Sequence, residues 1–348
     1  MKPSIPGRLH ALGLVAPRFD HAVDVVRHLT CVQSQLHDMA LWSVARRTPG
    51  LTLADARAAF ERGDFLRTHT MRGTWHFIDP ADIHWLLTLT APRMRQQMSS
   101  TNKAIGLSDE RLDQCADVIV QMLAAGTPHT RPELAAGLEA AGLLHAGQEL
   151  AHVVMHTEIS ALIVSGPMRG KQHTYVPLPP PPILPDREIL LAEAATRYAR
   201  GHGPVRDKDL AWWTGLTLTD SRRAIQLAGL RQMLVDDEQY WALDEPIEAE
   251  VPRVMLMSNF DEYISYARDP GDYARFAGTA SDVMRGGGLL MIDGRLAGTW
   301  TRTISTTAVE IVIDRAAPMG SATRAALDAE AATFGRFVDR EPRLVLTT

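Results

Sequence analysis

The chain has 348 residues, 45% hydrophobic and 22% charged, an ordinary globular make-up with room for two or three domains. A net charge of −5 gives no overall attraction to polyanions, although a local basic stripe is enough to hold one. Two cysteines, Cys31 and Cys115, with no Cys-x-x-Cys pair, exclude a disulfide framework and a cysteine-rich zinc site.

In chain order, apolar spacing predicts a helix over residues 21–35, a second over 39–47 and a third over 53–62 capped by Thr52. Residues 65–78 read as two strands about a tight turn. A helix follows to residue 90, and the polar stretch 93–103 reads as a linker. Ser108 caps the next helix, with Asp109 and Glu110 in its first turn. Thr130 and Glu133 form a capping box around Pro132, and that helix stops at Gly142. A helix over 148–162 leads into a hairpin over 163–178. Beyond the polyproline spacer 179–182, helices over 187–201, 206–214 and 219–229 precede a ribbon with an acidic tip, Asp236, Asp237 and Glu238. The remainder is rich in strands, with Asp293-Gly294 as a hairpin turn and one helix over 321–337.

Helices closed by a hairpin recur, and this is the winged-helix order. The expected fold is therefore α+β and mainly helical: three tandem winged-helix units over 1–105, 106–182 and 183–246, then a β-rich, barrel-like domain over 247–348.

One segment breaks its pattern. Gln33 and Gln35 interrupt the apolar run Val25-Val26 to Leu36, and residues two apart do not share a helix face. If both amides enter one cavity, the helix must bend or end there. Asp38 is the carboxylate in local reach, and it reads most simply as a helix cap. Trp75 and His76 are strand neighbours, so they face opposite ways and one of them enters the core. Arg67, His69 and Arg72 flank the first hairpin turn, while Arg169, Lys171 and His173 share the second hairpin; both sets are candidate phosphate contacts. The acidic third tip will not approach phosphate, so the third unit reads as structural. Lys2, Lys103, Lys171 and Lys208 are the only lysines, so the remaining basic charge is arginine, which suits phosphates and base edges.

The stretches Val32-Gln33-Ser34-Gln35, Arg72-Gly73-Thr74-Trp75-His76-Phe77 and Phe260-Asp261-Glu262-Tyr263 together resemble the AlkZ-like winged-helix DNA glycosylases, and the resemblance spans nearly the whole chain. The last two stretches mark the broad family. The first marks its glutamine-pair branch, since another branch has aspartate at the position of Gln35. The family pattern places an aliphatic or small apolar residue between the glutamines, and Ser34 departs from it.

What the resemblance implies is a monofunctional glycosylase that removes bulky alkylated purines and unhooks interstrand crosslinks in double-stranded DNA. Gln33 and Gln35 would be its catalytic residues, with Asp38 and His76 as possible auxiliaries. An amide is too weak a base to ionise water but can orient it, which suffices where the leaving purine is already cationic. No lysine lies near the motif, so no Schiff-base lyase step is expected. Neither metal nor organic cofactor is implied. Asp261 and Glu262 form an acidic pair, read as structural for want of a histidine cluster beside it.

A monomer is expected. No apolar run reaches the roughly 18 residues of a membrane span, and Met1-Lys2-Pro3-Ser4-Ile5 opens no secretory stretch, so the expected compartment is the cytoplasm. The residues leave open a non-catalytic DNA-binding regulator or a scaffold.

Overall fold

The computed structural model describes residues 5–15, 19–143, 147–235, 237–245, 247, 249–265, 287–315 and 319–347. Helix α1 (Ile5–Ala11) precedes α2 (Ala22–Leu29), which buries Val25, Val26 and Leu29 along one stripe. Here the structure departs from the single helix expected over 21–35. Thr30 adopts φ +69°, a conformation foreign to a β-branched residue, and this ends the helix. The chain then runs extended as β1 (Cys31–Gln33). Gln33 therefore sits at a strand end.

Helices α3 (His37–Ala45) and α4 (Leu53–Glu61) follow, the latter capped by Thr52, whose hydroxyl accepts from the Asp55 amide at 3.1 Å. Strands β2 (Leu66–Met71) and β3 (Thr74–Ile78) turn at Arg72 and Gly73, both with positive φ. Next comes α5 (Ile83–Ala104), a continuous helix through Pro92 where a linker was expected. Pro92 forfeits one backbone hydrogen bond, but α5 packs on α9 (Arg187–His202), α8 (Gly147–Ile159) and β2, which carries the helix past it.

Helix α6 (Asp109–Leu123) is capped by Ser108, and α7 (Arg131–Ala140) follows the short β4 (His129–Thr130) through the Thr130–Glu133 capping box. After α8 come β5 (Ile163–Arg169) and β6 (Gln172–Pro177). After α9 come α10 (Asp207–Thr214), α11 (Leu218–Leu227), β7 (Arg231–Val235) and β8 (Glu238–Ala242). At the third hairpin tip Glu238 pairs with Arg206 at 3.1 Å and Lys208 at 3.5 Å, so its charge is neutralised within the chain. Asp236 lies outside the described residues.

The C-terminal part contains β9 (Val254–Met257), α12 (Glu262–Ser265), β10 (Gly288–Ile292), β11 (Arg295–Ile304), β12 (Ala308–Arg315), α13 (Ser321–Val338) and β13 (Glu341–Thr347). Its five strands lie in the order β13-β12-β11-β10-β9. The sheet is open among the described residues, with β13 parallel to β12, so the barrel-like expectation is corrected. The apolar face of α13 closes this sheet, and that leaves no need for the strands to curl on themselves.

The first two hairpins are one sheet. Its order is β1-β3-β2-β5-β6-β4, joined where Arg67 of β2 pairs with Ser165 of β5. Glu158 of α8 strengthens the junction by binding His69 and, at 3.3 Å, the Trp75 indole N–H. A small core between Leu107 and Tyr175 belongs to the second helical segment. A larger core runs without a break from α1 to α5, through α9–α11, to the C-terminal sheet. Buried polar contacts tie these parts together. The Arg47 guanidinium grips Asp261 through two bonds of 2.8 and 2.9 Å. The neighbouring carboxylate, Glu262, accepts from the Trp213 indole at 3.1 Å and bonds His202 at 2.9 Å.

Candidate active site

Strand β1 pairs antiparallel with β3, setting Cys31, Val32 and Gln33 opposite Ile78, Phe77 and His76. The Ser34 amide continues the ladder, donating to the Trp75 carbonyl at 2.7 Å, and the Ser34 carbonyl accepts from Arg67 Nε at 3.1 Å. Ser34 is fully buried and held on both sides through its backbone. The family departure at this position is thus a small side chain packed inward.

Gln33 is buried at the strand end, and Gln35 is half-buried in the bend before α3. Gln35 Oε1 is shielded from solvent and accepts no hydrogen bond among the described residues. Leaving such a carbonyl unsatisfied costs about 1–3 kcal/mol, so it is set to accept from a bound donor.

Beside this bend opens a cleft of about 690 Å³, walled by the start of α3, by α4, by the second hairpin tip and by β11. His37, Asp38, Arg57, Lys171, His173 and Arg302 supply its ionisable lining along with Glu61. The three permanent cations come from three separate parts of the chain, which is why sequence spacing could not assemble them.

Asp38 is the second residue of α3 rather than its cap. Burial favours its neutral form, but hydrogen bonds from His37 and Arg57 outweigh that and hold it at about 2. Arg57 bridges both its oxygens, at 3.2 and 2.7 Å. Burial lowers His37 against the pull of Asp38. Burial, then Arg67 and His37, bring His173 down to about 3. Both rings are therefore neutral at physiological pH. His37 escaped the sequence reading; its only signal there was its place two residues after Gln35.

The other expected site residues divide. His76 is fully buried, donates from Nδ1 to the Thr74 carbonyl at 3.0 Å, and is kept neutral chiefly by burial. Lys171 and His173 do face the cleft. Arg169 instead donates to Glu133 at 2.6 Å and to the Pro128 carbonyl at 2.5 Å. Arg67, His69 and Arg72 are turned into the protein, where no phosphate reaches. Arg67 stacks 4.6 Å from the Trp75 ring centre, His69 binds Glu158, and Arg72 donates to the Trp213 carbonyl. They join β2 and β3 to the rest of the molecule, so their expected role as phosphate contacts is replaced by a structural one.

Neither glutamine lines the cleft; Leu36, the residue after Gln35, does. A cation-walled cleft one residue along the chain from an uncharged amide suits a polyanion carrying an already labile bond, as a DNA glycosylase requires. A family model described as DNA glycosylase AlkZ-like matches residues 26–337, so the chain belongs to the AlkZ-like DNA glycosylases. An interstrand DNA cross-link repair glycosylase of Streptomyces sahachiroi is 23% identical over 304 residues, 80% of this chain and 81% of the relative. The solved structure of the DNA glycosylase AlkZ from Streptomyces sahachiroi has the same fold, with a TM-score of 0.79 over 100% of both chains at 21% identity.

Proposed function

We propose that the enzyme hydrolyses the N-glycosidic bond of cationic N3- or N7-alkylated purines in double-stranded DNA, with Gln33 and Gln35 holding the attacking water. The observation that carries this is the solvent-shielded Gln35 Oε1, without a hydrogen bond among the described residues, next in the chain to Leu36 of the cation-walled cleft. An N7-alkylguanine bears positive charge and leaves without acid assistance. What the protein must add is a placed water and dipoles facing the sugar cation, and positioning alone can be worth several kcal/mol. Asp38 is committed to Arg57 and His37, which argues against it as the group that ionises the water.

Interstrand crosslinks are included as substrates because the relative at 23% identity carries that activity in its name. Lys171 and Arg302 are the cleft cations assigned to the DNA backbone. Each of the segments 1–105, 106–182 and 183–246 is read as a winged-helix unit, since each closes a run of helices with a hairpin. Residues 247–348 form the β-rich domain. The enzyme is read as a monomer acting in the cytoplasm; none of its described helices is long and apolar enough to cross a membrane.

Single-turnover assays on duplexes carrying 7-methylguanine, uracil or 8-oxoguanine, developed with alkali to reveal abasic sites, test the reading. Release of 7-methylguanine alone is expected, together with unhooking of an N7-linked crosslink on a denaturing gel. Comparable release of uracil, or no release of the cationic base, overturns it.

A further inference from the structure

We propose that His37, oriented by Asp38, is the base that takes the proton from the attacking water. This rests on the reading that Gln33 and Gln35 hold that water. It supplies what the amide pair lacks.

The geometry fixes the tautomer. Asp38 is an ionised carboxylate, bridged by Arg57, and accepts only; the His37 nitrogen 3.3 Å from it, Nδ1, therefore carries the hydrogen. The lone pair is left on Nε2. That atom is shielded from solvent and has no hydrogen bond among the described residues. The His37 side chain is only 8% exposed, yet it belongs to the cleft lining. Its ring is clamped edge-on between Phe60 at 4.9 Å and Phe77 at 5.5 Å, so it keeps one orientation. A base whose second nitrogen is held by a carboxylate is the arrangement that activates a nucleophile in many hydrolases. Leu36 alone separates His37 from Gln35, whose Oε1 likewise has no hydrogen bond among the described residues.

The step balances. The bond from C1′ to the purine nitrogen breaks, its electron pair discharges the ring cation, and the water oxygen bonds to C1′. The water proton passes to Nε2 and is later lost to solvent.

The ionisable groups around His37 are Asp38 on its own helix, Arg57 from α4, Arg67 from β2 and His173 from β6, whose ring is 5.5 Å away. Arg302 from β11 is felt by Asp38. Asp38 favours the protonated ring, whereas burial, Arg67 and Arg57 disfavour it, leaving the lone pair available at neutral pH.

The test is the pH dependence of single-turnover 7-methylguanine excision for the full chain. The wild-type rate should fall on an acid limb lying below pH 6.5, the ordinary imidazole value. His37→Gln should slow excision roughly 100-fold and abolish the limb. Asp38→Asn guards against misfolding of the first variant. Without the carboxylate the ring protonates at still lower pH, so the limb should move down. A wild-type rate and limb in His37→Gln, or an unmoved limb in Asp38→Asn, overturns the proposal. Gln35→Ala separates the two readings. If it slows excision while His37→Gln does not, only the role of His37 fails. If Gln35→Ala excises like wild type, the amide reading fails first.

Discussion

Gln33 faces His76 across the antiparallel ladder of β1 and β3, and Thr68 of β2 occupies the next place along the same line. Residues directly opposite in a sheet share a face, so a glutamine, a histidine and a threonine form a polar row inside the first hairpin. His76 Nε2 and Thr68 Oγ1 are both buried without a hydrogen bond among the described residues. Buried polar atoms of this kind are ordinarily served by internal water. The strand end, rather than a helix, thus carries the first amide of the pair.

That placement makes the amides separable from the fold. Neither Gln33 nor Gln35 supplies a side-chain cap to α3, which begins after Leu36 without one. Gln35→Ala should slow excision of 7-methylguanine about 10- to 1000-fold, the scale of losing one positioned polar group. Duplex affinity measured by anisotropy should stay within about 2-fold, because no phosphate contact is removed. A double Gln33→Ala/Gln35→Ala enzyme that still turns over at the wild-type rate sinks the assignment.

Lys171 and Arg169 share a hairpin but differ in what they hold. Arg169 is bound to Glu133 and the Pro128 carbonyl, whereas Lys171 lines the cleft. Lys171→Ala should reduce the slope of log affinity against log salt by about 1, the contribution of one phosphate contact. Arg169→Ala should leave the slope nearly unchanged. Equal effects of the two substitutions would place the duplex along the outer edge of the hairpin instead of in the cleft.

Much of the local structure was written in the side chains at element ends. Thr52, Ser108 and Thr130 cap the helices expected of them, and the hairpin turns expected within 65–78 and at Asp293-Gly294 form, with positive φ at Arg72, Gly73, Asp293 and Gly294. What the sequence concealed was decided by tertiary contacts. Thr30 takes a backbone conformation that its branched side chain opposes, so nothing local announces the end of α2. Arg67, His69 and Arg72 read as exposed cations because their partners, Ser165, Glu158 and Trp213, lie far along the chain. The glutamine pair was visible through its broken periodicity. The cleft beside it was hidden, because α3, α4, the second hairpin and β11 meet only in the fold.

The Phe260-Asp261-Glu262-Tyr263 stretch acts as a fastener. Asp261 and Arg47 are both completely buried, and Ser43 donates a further hydrogen bond to the carboxylate. Asp261→Ala strands a buried guanidinium and should cost about 3–5 kcal/mol in urea unfolding. Replacing both partners by apolar residues, Arg47→Met with Asp261→Leu, should cost much less, since no uncompensated charge remains. Similar losses from the single and double changes would show that packing, not charge, dominates at this junction.

Three buried or half-buried histidines set the acid limit of the fold. His37, His76 and His173 are all lowered in the folded protein, mainly by burial, with His173 brought to about 3. Unfolding returns each ring to an ordinary value near 6.5. Between those limits the unfolded chain binds more protons than the native one, so stability rises with pH there and is lost as pH falls below about 6.5. For His173 the loss is complete near pH 3. Asp38, held at about 2, acts in a separate window, and its contribution disappears only as pH drops from 3.8 toward 2. Thermal midpoints should therefore decline steadily from pH 7 to 4.5, before the carboxylate contributes. His173→Gln removes one of the three groups and should make that decline shallower. A midpoint constant over this range, or an equally steep decline in the variant, would mean that these rings reach water and protonate freely in the native state.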